Sequence, residues 1–200
     1  MKRTILDTLE KSVQVKTDFI NQHVDVVEHC ARLMAKTFEN GGKLLLFGNG
    51  GSAADAQHIA AEFINRFQME RPPLPALALT TDTSVLTSIG NDYSFEEIFH
   101  KQILALGRPR DMALGITTSG SSPNVIKGVK TAKDQGLTVI GFSGPRGELR
   151  ELADFSFCVP STVTARIQEA HILLAHILCD LTEQLLFNPP QADNTPFPPV

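Results

Sequence analysis

The sequence predicts an α/β fold, a three-layer α/β/α sandwich with a mainly parallel sheet, preceded by N-terminal helices. Short, continuous apolar runs, which are typical of buried parallel strands, alternate with segments whose apolar residues recur at helical spacing. Loops rich in Gly, Ser and Thr follow two of these runs. Because crossovers between parallel strands are right-handed, we expect helices on both faces of the sheet.

The first half of the chain shows this alternation from its N-terminus onward. Apolar spacing predicts two helices in the first forty residues, with a break near Asn21 and an end at the pair Gly41-Gly42. Ser52 is the expected N-cap of the next helix, with Asp55 as its capping-box partner. In chain order, the further elements are a strand over 44–47, a helix over 52–66, a strand over 74–79, a short helix over 83–89 and a longer one over 95–106.

The second half continues the pattern, and Pro123 suits the first position of a helix. The elements are a strand over 112–116, a helix over 123–135, a strand over 137–142, a Gly/Pro loop over 143–147, a strand over 155–159 and a helix over 164–187. We expect one domain over residues 1–187. The proline-rich segment 188–200 is expected to be a disordered tail.

Composition and charge exclude several classes of function. The net charge of -4 argues against a nucleic-acid-binding surface. We also expect no membrane span and no signal peptide, which places the protein in the cytoplasm. Cys30, Cys158 and Cys179 show no Cys-x-x-Cys spacing and are expected to be reduced thiols rather than disulfides or zinc ligands.

Two small-residue loops, 48–52 and 117–122, each connect an expected strand to a helix. In an open parallel sheet, ligands bind at the carboxyl ends of the strands, and a helix N-terminus suits a phosphate. Either loop alone could be a tight turn with an ordinary cap. Two such loops in one small α/β chain favour binding of a sugar phosphate.

Two helices also carry polar residues at spacings that place them on one face. His58 and Glu62 are four residues apart, and Gln168 and His176 are eight apart. If the helices face each other, the four side chains converge and can bind a divalent metal or transfer protons. His58 and Glu62 could instead be an exposed helical pair. His176 lies on an apolar helix, where a polar group needs a partner.

Three further features of the sequence have competing interpretations. His171 could replace His176 as the functional residue, although it points about 60° away from Gln168 at ~100° per residue. Glu169 is expected to pair with Arg166. The dipeptide Asn91-Asp92 is expected in a loop, either as a simple turn or as a polar contact to a substrate.

The motifs together resemble a known family. Gly48-Asn49-Gly50-Gly51-Ser52 with Asp55, His58 and Glu62 is similar to the sugar isomerase (SIS) domain of bacterial phosphoheptose isomerases. The segments 90–92, 117–122 and 165–171 are similar to it as well, and the match extends to about Phe187. Ser121 and the loop 143–147 depart from the usual pattern, which affects details of substrate contact.

The resemblance implies a fold, a reaction and a set of residues. The reaction is the conversion of sedoheptulose 7-phosphate to D-glycero-D-manno-heptose 7-phosphate, a step toward ADP- or GDP-heptose and lipopolysaccharide or other surface glycans. The family is homotetrameric, with active sites between subunits and zinc as the usual metal. The metal positions are His58, Glu62, Gln168 and His176. The substrate positions are Asn49, Gly50, Gly51, Ser52, Glu62, Asn91, Asp92, Thr117, Thr118, Ser119, Ser122 and Gln168.

Aldose–ketose isomerisation passes through an enediol and needs groups that exchange protons near neutral pH. Glu62 and His176 are the expected acid/base pair. Two alternatives stay open: a non-catalytic paralogue that binds the chromosomal replication initiator, and an isomerase for another sugar phosphate. In the paralogues the positions of Glu62 and His176 are typically Ser and Asn, so this chain favours the enzyme.

Overall fold

A computed structural model describes residues 1–188 of the chain. Five strands and seven α-helices alternate in the described part, with a single 3-10 turn over Phe95–Glu97. The strands are β1 (Leu44–Gly48), β2 (Ala76–Ala78), β3 (Met112–Thr117), β4 (Thr138–Ser143) and β5 (Phe155–Cys158). The helices are α1 (Lys2–Glu39), α2 (Gly51–Ile64), α3 (Thr83–Asp92), α4 (Ile98–Leu106), α5 (Pro123–Asp134), α6 (Leu149–Leu152) and α7 (Thr164–Phe187).

The five strands form one parallel sheet in the order β2-β1-β3-β4-β5. Alternate residues of β1 face opposite sides, because successive side chains of a strand point to opposite faces. Leu44 and Leu46 belong to a core shared with α1, α2 and α7, whereas Leu45 and Phe47 belong to a core shared with α4 and α5. The predicted three-layer α/β/α sandwich is therefore confirmed.

The N-terminal forty residues form one helix, so the predicted break near Asn21 is wrong. Asn costs only about 0.7 kcal/mol in a helix relative to Ala, and α1 contains neither Gly nor Pro to interrupt it. From Phe19 onward the helix buries a stripe that packs on α7 and the sheet. The preceding part of the helix is mostly exposed, with Ser12 its one buried residue before Phe19.

Other boundaries differ in smaller ways. The edge strand β2 covers only three residues of the predicted strand 74–79. The short helix α6 lies between the predicted loop 143–147 and the predicted strand 155–159, where the sequence indicated no helix. The predicted capping role of Ser52 is wrong, because Gly50 is the N-cap and its positive φ turns the chain into the helix earlier. The Asp55 carboxylate does not cap the helix, and its Oδ2 is buried without a hydrogen-bond partner. The predicted disordered tail lies outside the described residues, apart from Asn188.

Helix α7 was predicted with its observed bounds. By length and hydropathy alone, the helix Thr164–Phe187 could cross a membrane, and it is the one such helix in the described residues. In the fold it packs along α1 and α2, and its apolar residues, such as Leu174 and Leu178, belong to the core. Its hydrophobicity is therefore that of a core helix in a soluble protein.

Candidate active site

The candidate site lies where the order of the strands reverses direction. From β1 the chain passes to β2 on one side of the sheet, and β3 pairs with β1 on the other side. Gly48 at the end of β1 is in register with Ile116 near the end of β3, so the two small-residue loops are neighbours. Such a switch point leaves a crevice at the carboxyl ends of the strands, where ligands bind in open α/β sheets.

The first loop brings the chain backbone directly into this crevice. Gly50 has a φ of 56°, which few residues other than Gly adopt, and it leads into the first turn of α2. The side chains of Asn49 and Asn124 exchange two hydrogen bonds of 2.8 and 2.9 Å. Asn124 is buried at the start of α5, so this amide pair connects the loop after β1 to the loop after β3.

The second loop brings three hydroxyl groups together. The Thr117 Oγ1 atom lies 2.7 Å from Ser122 Oγ and 3.1 Å from Ser119 Oγ. Gly120 has a φ of 70° and lets the loop approach the loop after β4, since a Cβ there would lie 2.0 Å from the Arg146 carbonyl oxygen. Hydroxyl donors at the N-terminus of α5 can bind an anionic group.

Three of the four residues predicted from helical spacing, His58, Glu62 and His176, meet between α2 and α7. The His58 Nε2 atom lies 2.9 Å from His176 Nε2 and 3.5 Å from Glu62 Oε1. The ring of Phe67, whose centroid is 5.4 Å from that of His176, packs on the same imidazole. Two imidazoles and a carboxylate thus lie close together between α2 and α7, as the sequence predicted for these three residues.

The environment of this cluster favours a neutral His176. Burial lowers the pKa of His176, the neighbouring His58 lowers it further, and the Glu62 carboxylate partly opposes the change. A neutral imidazole can accept a proton or bind a metal ion. Burial raises the pKa of Asp55, one helical turn before His58, and the charge of His58 lowers it in part.

Gln168 extends from α7 to the glycine loop at the start of α2. A Cβ added at Gly51 would lie 2.3 Å from the Gln168 Nε2 atom, so this amide rests against the backbone at the start of α2. Within residues 1–188, no three His, Cys, Asp or Glu side chains are arranged as a metal site as they stand. The candidate donor set therefore depends on Gln168 and on small side-chain movements.

Several residues named from the sequence lie elsewhere or serve the structure. Asn91 and Asp92 are the last two residues of α3 rather than a loop, and the Asn91 side chain donates to Asp92 Oδ1. Helix α3 packs on α4 and the 3-10 turn, not on the cluster. His171 is buried in the core, where its Nε2 lies 3.2 Å from the Ser143 carbonyl oxygen.

Glu169 pairs with Arg166, as predicted, and also accepts a hydrogen bond of 2.6 Å from Ser12 of α1. These contacts lower the pKa of Glu169, although its desolvation is the largest single influence and acts in the opposite direction. Sequence reasoning missed Asn124, whose buried amide positions Asn49. The available signal was a polar residue directly after Pro123, the first residue of α5. Such a residue alone does not show whether its side chain is buried against another amide or exposed at the start of the helix.

Comparison with known proteins identifies the family of this chain. The SIS domain family model matches residues 9–144. The chain is 54% identical to the phosphoheptose isomerase of Thermodesulfovibrio yellowstonii, over 92% of each chain. The structure of the phosphoheptose isomerase from Neisseria gonorrhoeae is similar with a TM-score of 0.86 and 43% identity, over 92% of this chain and 98% of that one.

The structure of the Francisella tularensis phosphoheptose isomerase is similar to the same degree, with a TM-score of 0.87 and 42% identity over 91% of this chain and 97% of that one. These likenesses span nearly the whole chain and include both helices of the polar cluster. The chain therefore belongs to the phosphoheptose isomerase family of SIS-domain proteins and is a sugar-phosphate isomerase.

Proposed function

We propose that this enzyme interconverts sedoheptulose 7-phosphate and D-glycero-D-manno-heptose 7-phosphate. The observation that carries the proposal is the meeting of His58, Glu62 and His176 between α2 and α7, because α2 begins directly at the first small-residue loop at the switch point of the sheet. Isomerisation of a phosphorylated sugar requires acid/base groups and a loop that can bind the phosphate. The names of the similar proteins give the heptose as the sugar.

In the proposed mechanism, Glu62 and His176 share the proton transfers through an enediol. One proton moves between C1 and C2 of the sugar, and another moves between the two oxygens. Burial lowers the pKa of His176, which favours the neutral imidazole, and a neutral imidazole that is not bound to a metal can accept a proton. A positioned acid/base group contributes roughly 10²–10⁴-fold to the rate, so the loss of either side chain is expected to be severe.

The phosphate of the substrate is proposed to lie in the hydroxyl loop after β3. Thr117, Ser119 and Ser122 already converge there, and Thr118 lies between them. Binding at this remote group anchors the sugar and contributes binding energy away from the reacting carbons. The other proposed substrate contacts are Asn49, Gly50, Gly51, Ser52, Glu62, Asn91, Asp92 and Gln168.

We also propose that His58, Glu62, Gln168 and His176 hold a zinc ion. Two nitrogens bound to one tetrahedral zinc at ~2.0–2.1 Å lie about 3.3 Å apart, and a nitrogen and an oxygen lie at a similar spacing. The observed 2.9 Å between the imidazoles and 3.5 Å between His58 and Glu62 are within about half an ångström of that geometry. Bound zinc would act as a Lewis acid that polarises the sugar carbonyl.

The proposed active assembly is a cytoplasmic homotetramer that supplies activated heptose for surface glycans such as lipopolysaccharide. Support comes from the exposed apolar face at the start of α1, where Ile5, Leu6, Leu9 and Val13 are each more than half exposed. A patch of this kind is typical of an interface between subunits. Assembly would also let Asn91 and Asp92, which lie away from the cluster in one chain, reach a substrate held by a neighbouring subunit. Sedimentation of wild type and Leu9→Glu tests the assembly.

The comparisons do not favour the alternative of an initiator-binding paralogue. The similar proteins are isomerases by name. This chain also has Glu62 and His176, where the resemblance to the paralogues would imply Ser and Asn. Binding to the replication initiator without isomerase activity would reverse this conclusion.

The test is an assay of purified protein with sedoheptulose 7-phosphate, with added zinc or with a chelator. The aldose product is followed by chromatography with mass detection. We expect zinc-dependent product from wild type and from the control variant His29→Gln, whose residue is exposed on α1. Glu62→Gln and His176→Asn are expected to fold but to show no turnover. Near-normal turnover in either variant would refute the acid/base assignment.

A further inference from the structure

A buried ion pair lies behind the candidate site, outside the residues assigned to it. Arg71, in the segment that follows α2, faces Glu183 of α7, and both side chains are only 1% exposed. The Arg71 Nε atom lies 3.5 Å from Glu183 Oε1 and has no hydrogen-bond partner of its own, so the contact is one of charge. Such a pair is unusual, since Arg and Glu are almost never fully buried unless they are paired.

Arg71 binds the backbone of the helix that carries His58 and Glu62. Its Nη2 donates to the Glu62 carbonyl oxygen at 2.8 Å, and its Nη1 donates to the Phe63 carbonyl oxygen at 2.6 Å. Carbonyls in the last turn of a helix have no partner within the helix, and a cation there also interacts favourably with the helix dipole. Arg71 therefore fixes the C-terminal end of α2 at the residue proposed for catalysis.

Glu183 performs the matching role from the other helix. It lies seven residues, about two turns, after His176 and so occupies nearly the same face of α7. Its carboxylate accepts hydrogen bonds from the backbone N–H groups of Gln68 and Met69, at 3.0 and 2.7 Å. These residues directly follow Phe67, whose ring packs on the His176 imidazole. Glu183 thereby fixes the segment that follows Phe67, the residue whose ring packs on His176.

The two halves of this arrangement form one cluster with the site. Residue 62 is common to both, because its carboxylate lies 3.5 Å from the His58 Nε2 atom and its backbone carbonyl oxygen accepts the hydrogen bond from Arg71. On α7, Glu183 follows His176 after about two turns on nearly the same face.

The ion pair is expected to contribute more to the relative positions of α2 and α7 than to the free energy of unfolding. Removing two charges from water is expensive, and apolar replacement of a buried pair is often neutral or stabilising. What an apolar replacement cannot supply is the set of six directed hydrogen bonds to the backbone of α2 and of the following segment. The pair is thus suited to fix how α2 and α7 sit against each other.

We propose that Arg71 and Glu183 are positioning residues that set the spacing between the Glu62 side of α2 and the His176 side of α7. The inference rests on the proposed function, because its consequence is read in turnover and zinc binding. Residues that support metal ligands from behind typically change metal affinity or activity by about 10–100-fold when they are replaced.

The test compares wild type with the double variant Arg71→Met/Glu183→Leu, which removes both charges together and leaves neither one unpaired. Three quantities are measured: thermal unfolding, zinc affinity by competition with a chelating dye, and kcat and KM separately. We expect a folded protein whose zinc affinity and kcat each fall by about tenfold or more, while KM changes by less than about threefold. The control removes an exposed pair, Lys130→Gln/Glu148→Gln, whose atoms lie 2.7 Å apart, and is expected to match wild type.

A second variant, Arg71→Lys, keeps the charge but loses the planar guanidinium that donates to four backbone carbonyl oxygens. It decides the matter if the double variant does not fold, since we expect lower kcat and zinc affinity from it as well. If the double variant folds and has wild-type kcat and zinc affinity, the proposal is overturned, even if its unfolding temperature drops. If the double variant does not fold, wild-type kcat and zinc affinity in Arg71→Lys overturn the proposal. If wild type itself neither binds zinc nor turns over the heptose phosphate, the proposed function fails instead, which distinguishes the two failures.

Discussion

Acidification is expected to destabilise this protein through one buried histidine. His171 is 1% exposed, its Nδ1 has no hydrogen-bond partner, and its ring packs on that of Phe142. Burial lowers the pKa of His171 from 6.5 to about 4, although the hydrogen bond to the Ser143 carbonyl opposes the change. The folded state therefore holds a neutral imidazole at pH values where the unfolded chain binds a proton.

The sign and size of the effect follow from this difference in pKa. Above about pH 6.5 neither the folded nor the unfolded state binds the proton, and the free energy of unfolding has its full value. As the pH falls from about 6.5 to the pKa of the folded state, the unfolded chain binds the proton and the free energy of unfolding decreases. The gap between 6.5 and about 4 corresponds to about 3.4 kcal/mol in total. By about pH 4.5, roughly 2.5 kcal/mol of the free energy of unfolding should already be lost through His171.

The assay is urea unfolding at about pH 7.5 and about pH 4.5, at one protein concentration because assembly affects stability. His171→Gln keeps an N–H donor for the Ser143 carbonyl but cannot titrate. We expect this variant to be less stable than wild type near neutral pH, yet to lose about 2.5 kcal/mol less on acidification. The control His29→Gln, at an exposed position, should keep the wild-type loss. Equal acid losses in wild type and His171→Gln would refute the reasoning.

Three further predictions concern the site. Gly51→Ala should lower zinc affinity and turnover by about tenfold, measured by dye competition and the isomerase assay, because its Cβ would lie 2.3 Å from the Gln168 amide nitrogen. Gly120→Ala should raise KM and lower thermal stability by about 1–3 kcal/mol, because its φ of 70° is strained for Ala and its Cβ would meet the Arg146 carbonyl. A chelator should lower the unfolding temperature of wild type but not of His58→Ala; equal shifts would remove His58 from the metal site.

Local patterns in the sequence were sufficient for much of the fold and part of the site. Helical spacing placed His58 with Glu62 and Gln168 with His176, and the structure brings His58, Glu62 and His176 together between α2 and α7. The alternation of apolar runs predicted the parallel sheet, because buried strands and crossover helices each have a distinct apolar pattern. These features depend only on residues that are close in sequence.

The errors arise where tertiary contacts override local preference. Near Asn21 a modest local preference against the helix is outweighed by the packing of α1 on α7. Asn91 and Asp92 favour turns, yet they complete α3, where the side chain of one bonds to the other. The pairing of Arg71 with Glu183 joins distant parts of the chain, and no local spacing could indicate it.

The proposed phosphate loop and the proposed acid/base pair lie in different parts of this fold, so their roles are separable by experiment. The proposed phosphate loop is held by hydrogen bonds among its own hydroxyls, centred on Thr117. The proposed acid/base pair is instead held by the packing of α2 on α7 and by the ion pair behind them. Substitutions in the loop should therefore act mainly on KM, because they remove binding energy common to substrate and transition state. Substitutions that shift α2 against α7 should act mainly on kcat, because they change the spacing of the proposed acid/base groups, which matters most in the transition state of proton transfer.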